Sequence, residues 1–234
     1  MVFVGTAGWS VPARYADHVP KTGTHLERYG RCLNAAEINT SFYRPHQRKT
    51  YERWAASVPN DFRFSIKLPR SISHDHRLQD HRDLLARFLE EVSGLGEKLG
   101  VVLIQLPPTL AYDGNIAAAF FRDLRQHCKA PAACEPRHSS WFTPEADVAL
   151  KRLHIARVAA DPPRAPNDGQ PGGWPGLRYW RMHGSPKIYY SGYEPERLEK
   201  LANVLEPRDW CIFDNTAGFA ALGDALTLKE LTAA

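Results

Sequence analysis

Short apolar runs recur eight times along the chain, and each run ends in charged, amide or hydroxyl side chains. Several runs are apolar almost throughout, as expected for parallel strands whose two faces are both covered. The pattern predicts eight short strands, at residues 2–6, 33–38, 62–67, 100–106, 132–137, 153–159, 177–183 and 210–214.

Helical patterns occupy most of the intervals between these strands. They predict helices at residues 22–30, 47–57, 78–93, 115–128, 144–152, 194–205 and 217–231. Thr143, Pro144 and Glu145 are typical of a helix start, with a capping hydroxyl, proline at the first helical position and acid in the first turn. Alternating strands and helices predict a (β/α)8 TIM-type parallel barrel that forms a single domain over residues 1–234.

Alternation within the strands predicts where the polar side chains point. Side chains two residues apart share a face, so Glu37 and Asn39 lie together and opposite Ile38, and Arg181 lies with His183. We expect these polar sets to point into the barrel and the apolar sets to meet the helices. Because the carboxyl ends of the strands meet at one mouth, groups that are scattered along the sequence should converge there.

The sixth strand gives a less clear pattern. Arg157 and Asp161 share the parity of the apolar Ile155, so its inward face is ambiguous. Residues 162–175 are rich in proline and glycine and show no helical pattern. We interpret them as a surface excursion from the sixth strand, and not as a domain boundary.

Composition adds few restrictions. Hydrophobic residues make up 43% of the 234 residues, which supports a full core, and no apolar stretch reaches the roughly 20 residues that cross a bilayer. We therefore expect no membrane association. Cys32, Cys128, Cys134 and Cys211 form no CxxC pair, and the N-terminus shows no signal-peptide pattern, so we expect a cytoplasmic protein with reduced thiols. The net charge of +4 favours anionic partners.

Six motifs follow one another in an order that resembles the YecE-like family, a group of bacterial and archaeal proteins known as a domain of unknown function. They are Gly5-Thr6-Ala7-Gly8-Trp9-Ser10, Glu37-Ile38-Asn39-Thr40-Ser41-Phe42-Tyr43, Gln105-Leu106-Pro107-Pro108, Glu135-Pro136-Arg137-His138-Ser139-Ser140-Trp141, Arg181-Met182-His183-Gly184 and Phe213-Asp214-Asn215-Thr216. The resemblance covers nearly the whole chain and implies a β/α barrel, but it implies no particular reaction. The chain departs from the family pattern at Val11–Tyr15 and at Gly223-Asp224.

The polar residues at the strand ends are the candidate site. We predict five catalytic residues, Glu37, Lys67, Glu135, His138 and His183. We predict eight substrate-binding residues, Asn39, Tyr43, Gln105, Arg137, Trp141, Asp161, Arg181 and Asn215.

Glu135 is the preferred general base, and His138 or His183 the proton relay. Lys67, Arg137 and Arg181 are the predicted anion holders. A purely structural alternative is that Glu135 and Arg137 pair with each other, or with Lys67 and Glu37, and hold the barrel mouth in shape.

These groups predict an enzyme that uses acid–base chemistry on a small anionic or sugar-like substrate. Hydrolysis or isomerisation is favoured over redox chemistry, because the chain has no glycine-rich dinucleotide motif. No cofactor is predicted. A divalent metal stays open as the less favoured alternative, because Lys67, Arg137 and Arg181 bring positive charge into the same space. Its candidate ligands are Glu37, Glu135, His138, Asp161, His183 and Asp214.

The alternative function is binding or processing of nucleic acid. Loop aromatics interleaved with Arg and Lys would then form a groove that stacks bases and follows phosphates. The aromatic residues concerned are Trp9, Tyr43, Trp141, Tyr189, Tyr190 and Tyr193. The sequence leaves the oligomeric state open.

Overall fold

A computed structural model describes residues 1–233 of the chain. Its strands are Phe3–Ala7 (β1), Ala35–Ile38 (β2), Arg63–Lys67 (β3), Leu99–Gln105 (β4), Ala132–Glu135 (β5), Ile155–Arg157 (β6), Ala159–Asp161 (β7), Gly172–Gly173 (β8), Tyr179–Met182 (β9) and Trp210–Phe213 (β10). Its α-helices are His25–Gly30 (α1), Arg48–Ala56 (α2), Arg82–Val92 (α3), Gly114–His127 (α4), Pro144–Arg152 (α5), Pro195–Ala202 (α6) and Ala221–Leu231 (α7). None of the helices within residues 1–233 combines the length and apolar character that a bilayer-spanning helix requires.

The strands form one sheet in the order β7-β9-β10-β1-β2-β3-β4-β5-β6-β8. Every pairing is parallel except that of β8, which adds two residues antiparallel to β6. Strands β6 and β7 belong to one run of chain on either side of Val158. The first half pairs with β5 and the second half with β9, so this run closes the barrel. The predicted TIM-type barrel is therefore confirmed.

The sixth strand differs from its prediction at residues 153–159, because its hydrogen bonds change partner halfway along. The Val158 N–H still donates to the Cys134 carbonyl oxygen at 2.9 Å, whereas the Ala160 N–H donates to the Asp168 carbonyl oxygen at 2.9 Å. Residues 162–176 thus cover the point at which the strand moves from one neighbour to the other. They contain no helix, as the sequence predicts.

Two helices begin four residues later than predicted. The segment before α3 has left-handed backbone at Leu78 (φ 66°) and Asp80 (φ 44°), so the helix begins only at Arg82 and not at residue 78. Phe219 (φ 60°) likewise delays α7 to Ala221, although residue 217 was predicted as its start. Left-handed residues interrupt a right-handed helix, and their positions are not visible in the hydrophobic pattern.

Side-chain alternation divides the core into two layers. The larger layer lies between the strands and the helices and includes Ile38, Phe64, Ile104 and Phe213. The smaller layer fills the lower half of the barrel with side chains of the opposite parity. Its main members are Ala35, Val101, Leu103, Ala133, Ala156, Val158, Leu177, Tyr179, Trp210 and Ile212. The upper half of the barrel interior instead receives inward polar side chains from the ends of β2, β3, β4, β5 and β9, namely Glu37, Lys67, Gln105, Glu135 and Arg181.

Candidate active site

Arg181 is the centre of the polar upper layer. It points inward from β9 and is completely buried. Its Nε donates to Glu37 Oε2 at 2.9 Å and its Nη2 donates to Glu37 Oε1 at 2.6 Å, so the guanidinium binds this carboxylate with two parallel hydrogen bonds. Its Nη1 donates to Glu135 Oε2 at 2.6 Å, and Asp214 Oδ2 lies 3.2 Å from Nη2. One guanidinium thus joins three carboxylates from β2, β5 and the end of β10.

His183 connects two of these carboxylates a second time. Its Nε2 lies 3.1 Å from Glu135 Oε1, and its Nδ1 lies 3.1 Å from Asp214 Oδ2. A carboxylate can only accept, so a ring with a carboxylate at each nitrogen matches the imidazolium form, which donates from both. Gln105 adds one further donor, its Nε2, at 3.1 Å from Glu135 Oε2.

The charges of this network stabilise one another. Burial disfavours ionisation of Glu135, but Arg181, His183 and Arg137 outweigh it and hold the pKa of that carboxyl well below its usual range. For Asp214, burial is likewise outweighed by Arg181 and His183, which lower its pKa. Burial opposes the charged form of His183, yet Glu135 and Asp214 raise its pKa. The network is therefore a set of mutually paired ions.

Tyr179 supports the network from below. Its hydroxyl oxygen lies 3.2 Å from Glu37 Oε2 and 2.9 Å from Ser65 Oγ, and all three residues are completely buried. The ring of Tyr179 belongs to the apolar lower layer. The hydroxyl thus joins the apolar and the ionic halves of the barrel interior.

Lys67 lies beside this network without joining it. The residue is only 5% exposed, and its ammonium group forms neither an ion pair nor a hydrogen bond with any of residues 1–233. Its Nζ lies 4.3 Å from the centre of the Phe42 ring. Burial, and next the charge of Arg181, lower the pKa of this lysine to about 8. Lys67 is therefore a largely buried cation that is influenced by the charges of Glu37, Asp214 and Glu135 but forms no direct ion pair within residues 1–233.

Arg137 is a second cation of the mouth, and only part of its hydrogen-bonding capacity is used. Its Nη2 donates to Glu135 Oε1 at 3.3 Å and to the Tyr189 hydroxyl at 3.2 Å. Its Nε is buried and has no hydrogen-bond partner within residues 1–233. Tyr189 packs edge-to-face on His183, with ring centres 5.7 Å apart, and covers that side of the network.

A third basic group, His74, lies near Lys67 and Arg137. Burial, and next the charge of Lys67, lower the pKa of His74 to about 4, so its imidazole is neutral at neutral pH. With His183 protonated, two cations face three carboxylates in the inner network, and Lys67 and Arg137 then leave the site with one excess positive charge. The outer part of the mouth therefore favours an anion.

The structure brings six predicted site residues together: Glu37, Lys67, Gln105, Glu135, Arg137 and His183, all grouped around the predicted anion holder Arg181. Asn39 and Tyr43 lie one step farther out, on a neighbouring groove. The alternative that Glu135 pairs with Arg137 describes one contact of this network. The catalytic and binding roles of these residues remain predictions.

Four predicted site residues lie elsewhere. Trp141 is buried beneath its loop and donates from Nε1 to the Leu110 carbonyl oxygen at 2.9 Å. His138 caps the following turn, with Nδ1 2.8 Å from Ser140 Oγ. Asp161 points out of the barrel and pairs with Arg197. Asn215 holds a loop together through the Ser191 carbonyl oxygen and the Asp224 carboxylate.

The predicted site residues do not include four side chains that belong to the site or border it. These are Asp214, which is predicted above only as a candidate metal ligand, Phe42, His74 and Tyr179. Tyr179 could have been found, because it precedes Arg181 by two residues and so shares its inward face. Phe42 and His74 lie on loops, where strand parity gives no orientation. Within residues 1–233, no group of three or more His, Cys, Asp or Glu side chains has the arrangement of a metal site.

Comparison with known proteins agrees with the fold. Over 109 residues the chain is 35% identical to the UPF0759 protein YecE of Escherichia coli. The aligned region covers 47% of this chain and 39% of YecE. Over 156 residues it is 26% identical to the UPF0759 protein YunF of Bacillus subtilis. This second aligned region covers 62% of this chain and 53% of YunF. The matches thus span about half or less of the length of these relatives.

Two solved structures share the fold over the whole chain. A DUF72 family protein of Thermotoga maritima superposes with a TM-score of 0.80 over all of both chains, at 23% identity. A DUF72 family protein of Enterococcus faecalis gives a TM-score of 0.82 at 23% identity and is covered over 96% of its length. The family model described as "Protein of unknown function DUF72" matches residues 3–234, and the chain therefore belongs to the DUF72 family.

Proposed function

We propose that the barrel mouth binds a small anionic substrate and that Lys67 transfers a proton to or from it. The observation that carries this proposal is a pair of cations at the mouth: Lys67, a residue only 5% exposed whose ammonium group has no ion pair within residues 1–233, and Arg137, whose Nε has no hydrogen-bond partner there. A buried cation without a counter-ion is costly, and a bound anion removes that cost. Phosphate and carboxylate both match the donors of an arginine and a lysine.

Lys67 is better suited than Glu135 to move a proton. Glu135 accepts contacts from Arg181, His183, Gln105 and Arg137, and its lowered pKa makes it a weak base. A lysine whose pKa is about 8 is present in both protonation states near neutral pH. Groups with a pKa near the working pH are the most effective acid–base catalysts. In this proposal Lys67, and not the Glu135 of the sequence prediction, carries the proton transfer.

The inner network has a positioning role in this mechanism. Arg181 lowers the pKa of Lys67, and Glu135 holds Arg137 in place through one hydrogen bond. Because every carboxylate of the network is paired, an incoming anion meets Lys67 and Arg137 and not an unpaired negative charge. Proton transfer of this kind fits isomerisation or hydrolysis of a phosphorylated or carboxylated small molecule.

Titration with inorganic phosphate tests the anion site directly. We expect Lys67→Met to weaken phosphate binding about tenfold or more, because it removes a poorly solvated charge–charge contact. Binding to the wild type should weaken as the pH rises through about 8, where Lys67 loses its proton. Lys129→Met removes the same charge from an exposed site after α4, at the opposite end of the barrel, and should bind as the wild type does. Equal phosphate affinity in Lys67→Met and wild type would refute the site.

The catalytic part needs a separate measurement. A panel of phosphorylated sugars and glycosides should reveal turnover in the wild type that Lys67→Met loses and Glu135→Gln partly keeps. Because the bound anion requires the ammonium form of Lys67, this lysine acts as the proton donor, and kcat/KM should fall as the pH rises through about 8. Turnover that is unaffected by Lys67→Met contradicts the proton-transfer role, even where phosphate binding is lost.

A second candidate function is binding of single-stranded nucleic acid across the mouth. The observation that favours it is a group of exposed aromatic side chains on three mouth loops, namely Tyr43 (73% exposed), Tyr190 (51%) and Phe219 (58%). Lys187 Nζ lies 4.2 Å from the centre of the Tyr190 ring, so an aromatic face and a cation are presented together. Bases stack on such rings while cations follow the phosphates.

Salt dependence separates this candidate from the small-anion site. Contact with several phosphates makes oligonucleotide affinity fall steeply between low and moderate salt, with a slope of about −0.7 per contacted phosphate. We expect Tyr190→Ala to weaken such binding and Lys129→Met to leave it unchanged. Absence of oligonucleotide binding at low salt removes the second candidate and leaves the first intact.

A further inference from the structure

An aromatic groove opens at the carboxyl ends of β1 and β2, next to the proposed anion site. Its volume is about 580 Å³, within the range of sites that hold small-molecule ligands. We call it the Trp9 groove and define it by six of its residues: Trp9, Asn39, Tyr43, Arg44, His46 and Trp54. Among the described residues that line it, none is Asp or Glu.

Packing fixes the rings of this groove. Trp9 meets Trp54 edge-to-face with ring centres 5.0 Å apart, and His46 meets Trp54 in the same way at 5.1 Å. His46 is further held by Thr40, whose Oγ1 lies 2.8 Å from its Nε2. Burial, and next the charge of Arg44, lower the pKa of His46, which favours the neutral imidazole. Rigid aromatic side chains provide contact area for a planar ligand at little entropic cost.

Asn39 supplies an unused polar group at the groove. Its side-chain carbonyl oxygen is buried and has no hydrogen-bond partner among residues 1–233. Rotation of the terminal amide turns this oxygen towards the groove, where an N–H donor of a ligand would satisfy it. An amide offers a donor and an acceptor side by side, which is the pattern that a nucleobase edge presents in return.

The groove and the anion site are one side chain apart. The centre of the Phe42 ring lies 4.3 Å from Lys67 Nζ and 4.9 Å from the centre of the Tyr43 ring, so Phe42 is close to both the proposed anion site and a residue of the groove. Arg44 adds a cation to the rim of the groove. A single small molecule can therefore place a ring in the groove and an anionic group at Lys67.

We infer that the Trp9 groove binds the nucleobase of a nucleoside monophosphate whose phosphate lies between Lys67 and Arg137. The inference rests on the proposed anion site and names the substrate class for it. A sugar ring is a poorer match, because its many hydroxyl donors would find no carboxylate in the groove. A nucleobase instead stacks on Tyr43 and exchanges hydrogen bonds with the Asn39 amide.

Calorimetric titration of the intact chain tests this assignment. The probes are the four ribonucleoside monophosphates, the matching nucleosides, ribose phosphate and inorganic phosphate. At least one nucleotide should bind more tightly than ribose phosphate, because only the nucleotide fills the groove. Tyr43→Ala should weaken nucleotide binding roughly 5- to 150-fold while ribose phosphate binding stays unchanged. Tyr43 is largely exposed, so this variant should fold normally.

Val148→Ala is the control, because it removes an exposed apolar side chain from α5, outside the mouth loops. It should leave nucleotide affinity unchanged. Asn39→Ala should lower the preference between bases while ribose phosphate affinity is kept. Equal affinity for nucleotides and ribose phosphate, or unchanged nucleotide affinity in Tyr43→Ala, overturns the nucleobase assignment. Failure of all four nucleotides to bind at millimolar concentration overturns it as well.

The two proposals fail differently. If ribose phosphate binds and depends on Lys67 while Tyr43→Ala has no effect on nucleotides, the anion site stands and the nucleobase assignment is wrong. If nucleosides without phosphate bind and depend on Tyr43, while Lys67→Met leaves nucleotide affinity unchanged, the groove takes the base and the anion site is wrong.

Discussion

The two halves of the barrel interior are filled by opposite chemistry. The lower half is apolar: Trp210 stacks on Tyr179 with ring centres 5.9 Å apart, and Phe3 stacks on Trp210 at 4.8 Å. The upper half is ionic, and Arg181 holds Glu37 and Glu135 there. Both halves consist of largely buried side chains, but only the upper half holds several hydrogen-bond donors and acceptors in defined positions.

This difference between the apolar and the ionic half suggests that the lower half serves stability and the upper half serves function. Apolar packing is non-directional and tolerates changes that conserve volume. An ion network in the same position costs desolvation, and apolar residues of similar size often replace such networks without loss of stability. A network of this size at the mouth is therefore better explained by the arrangement that it imposes on Lys67 and Arg137 than by a need for stability.

Removal of Arg181 should have the largest effect on this contrast. Arg181→Met leaves Glu37, Glu135 and Asp214 buried without their shared cation, and the free energy of unfolding at neutral pH should fall by about 3–5 kcal/mol. Urea denaturation measures the change. Arg87→Met removes a guanidinium that pairs with Glu91 on the exposed face of α3, and it should change stability by about 0.5 kcal/mol or less.

A double variant shows whether the loss comes from stranded charge. Arg181→Met combined with Glu37→Gln removes the carboxylate whose only ion-pair partner within residues 1–233 is Arg181, so part of the lost stability should return. If the double variant is less stable than Arg181→Met by the full amount of a second independent loss, the two residues do not act as a pair. If Arg181→Met alone costs less than about 1 kcal/mol, the network is not a mutually dependent set of ions.

Strand parity made much of this site predictable. Glu37, Lys67, Glu135, Arg181 and His183 all have inward parity at or just beyond the ends of their strands, and all five were predicted to meet at the mouth. The pairing itself was not predictable, because Arg181 meets Glu37 across 144 residues of sequence and across the barrel. Which cation stays unpaired, and hence free for a substrate, depends on these long-range contacts.

The predicted site residues that lie outside the network are found where parity has no meaning or is ambiguous. Trp141 and His138 are on a loop, and each is oriented by local contacts, to Leu110 and Ser140 respectively. Asp161 has outward parity in a strand that changes partner at Val158, and it pairs with Arg197 of the outer layer. The hydrophobic pattern therefore locates a strand end but does not orient a side chain beyond it.

A substitution in the apolar lower half should have a smaller effect on the free energy of unfolding, and that effect should not depend on charge. Gly100 lies where β3 and β4 change register, and a Cβ there would meet Trp210 Cζ2 at 2.4 Å. Gly100→Ala should therefore force the stacked ring aside and cost about 1–3 kcal/mol. Gly114→Ala adds the same methyl group at the start of α4, where the nearest atom is 3.4 Å away, and should cost nothing measurable.

The pH profile of this variant sharpens the comparison. The loss in Gly100→Ala should be the same at pH 6 and pH 8, because no titratable group takes part in the contact. A loss that changes by more than about 1 kcal/mol across this interval would mean that the lower layer is coupled to the ions above it through Tyr179.

The smallest expected effect is the pH-dependent part of the contribution of His183. Its folded-state pKa is raised above the unfolded value of about 6.5, despite burial, by Glu135 and Asp214. Its charge therefore stabilises the fold fully below pH 6.5, and this contribution disappears as the pH rises through the raised pKa. The stability difference between wild type and His183→Gln should accordingly be largest near pH 6 and shrink towards pH 9. The same measurement on His76→Gln, which changes an exposed imidazole, should give a profile parallel to that of the wild type. A difference for His183→Gln that grows with pH would mean that the buried imidazole is neutral, and that the upper half of the barrel holds one positive charge fewer than its contacts indicate.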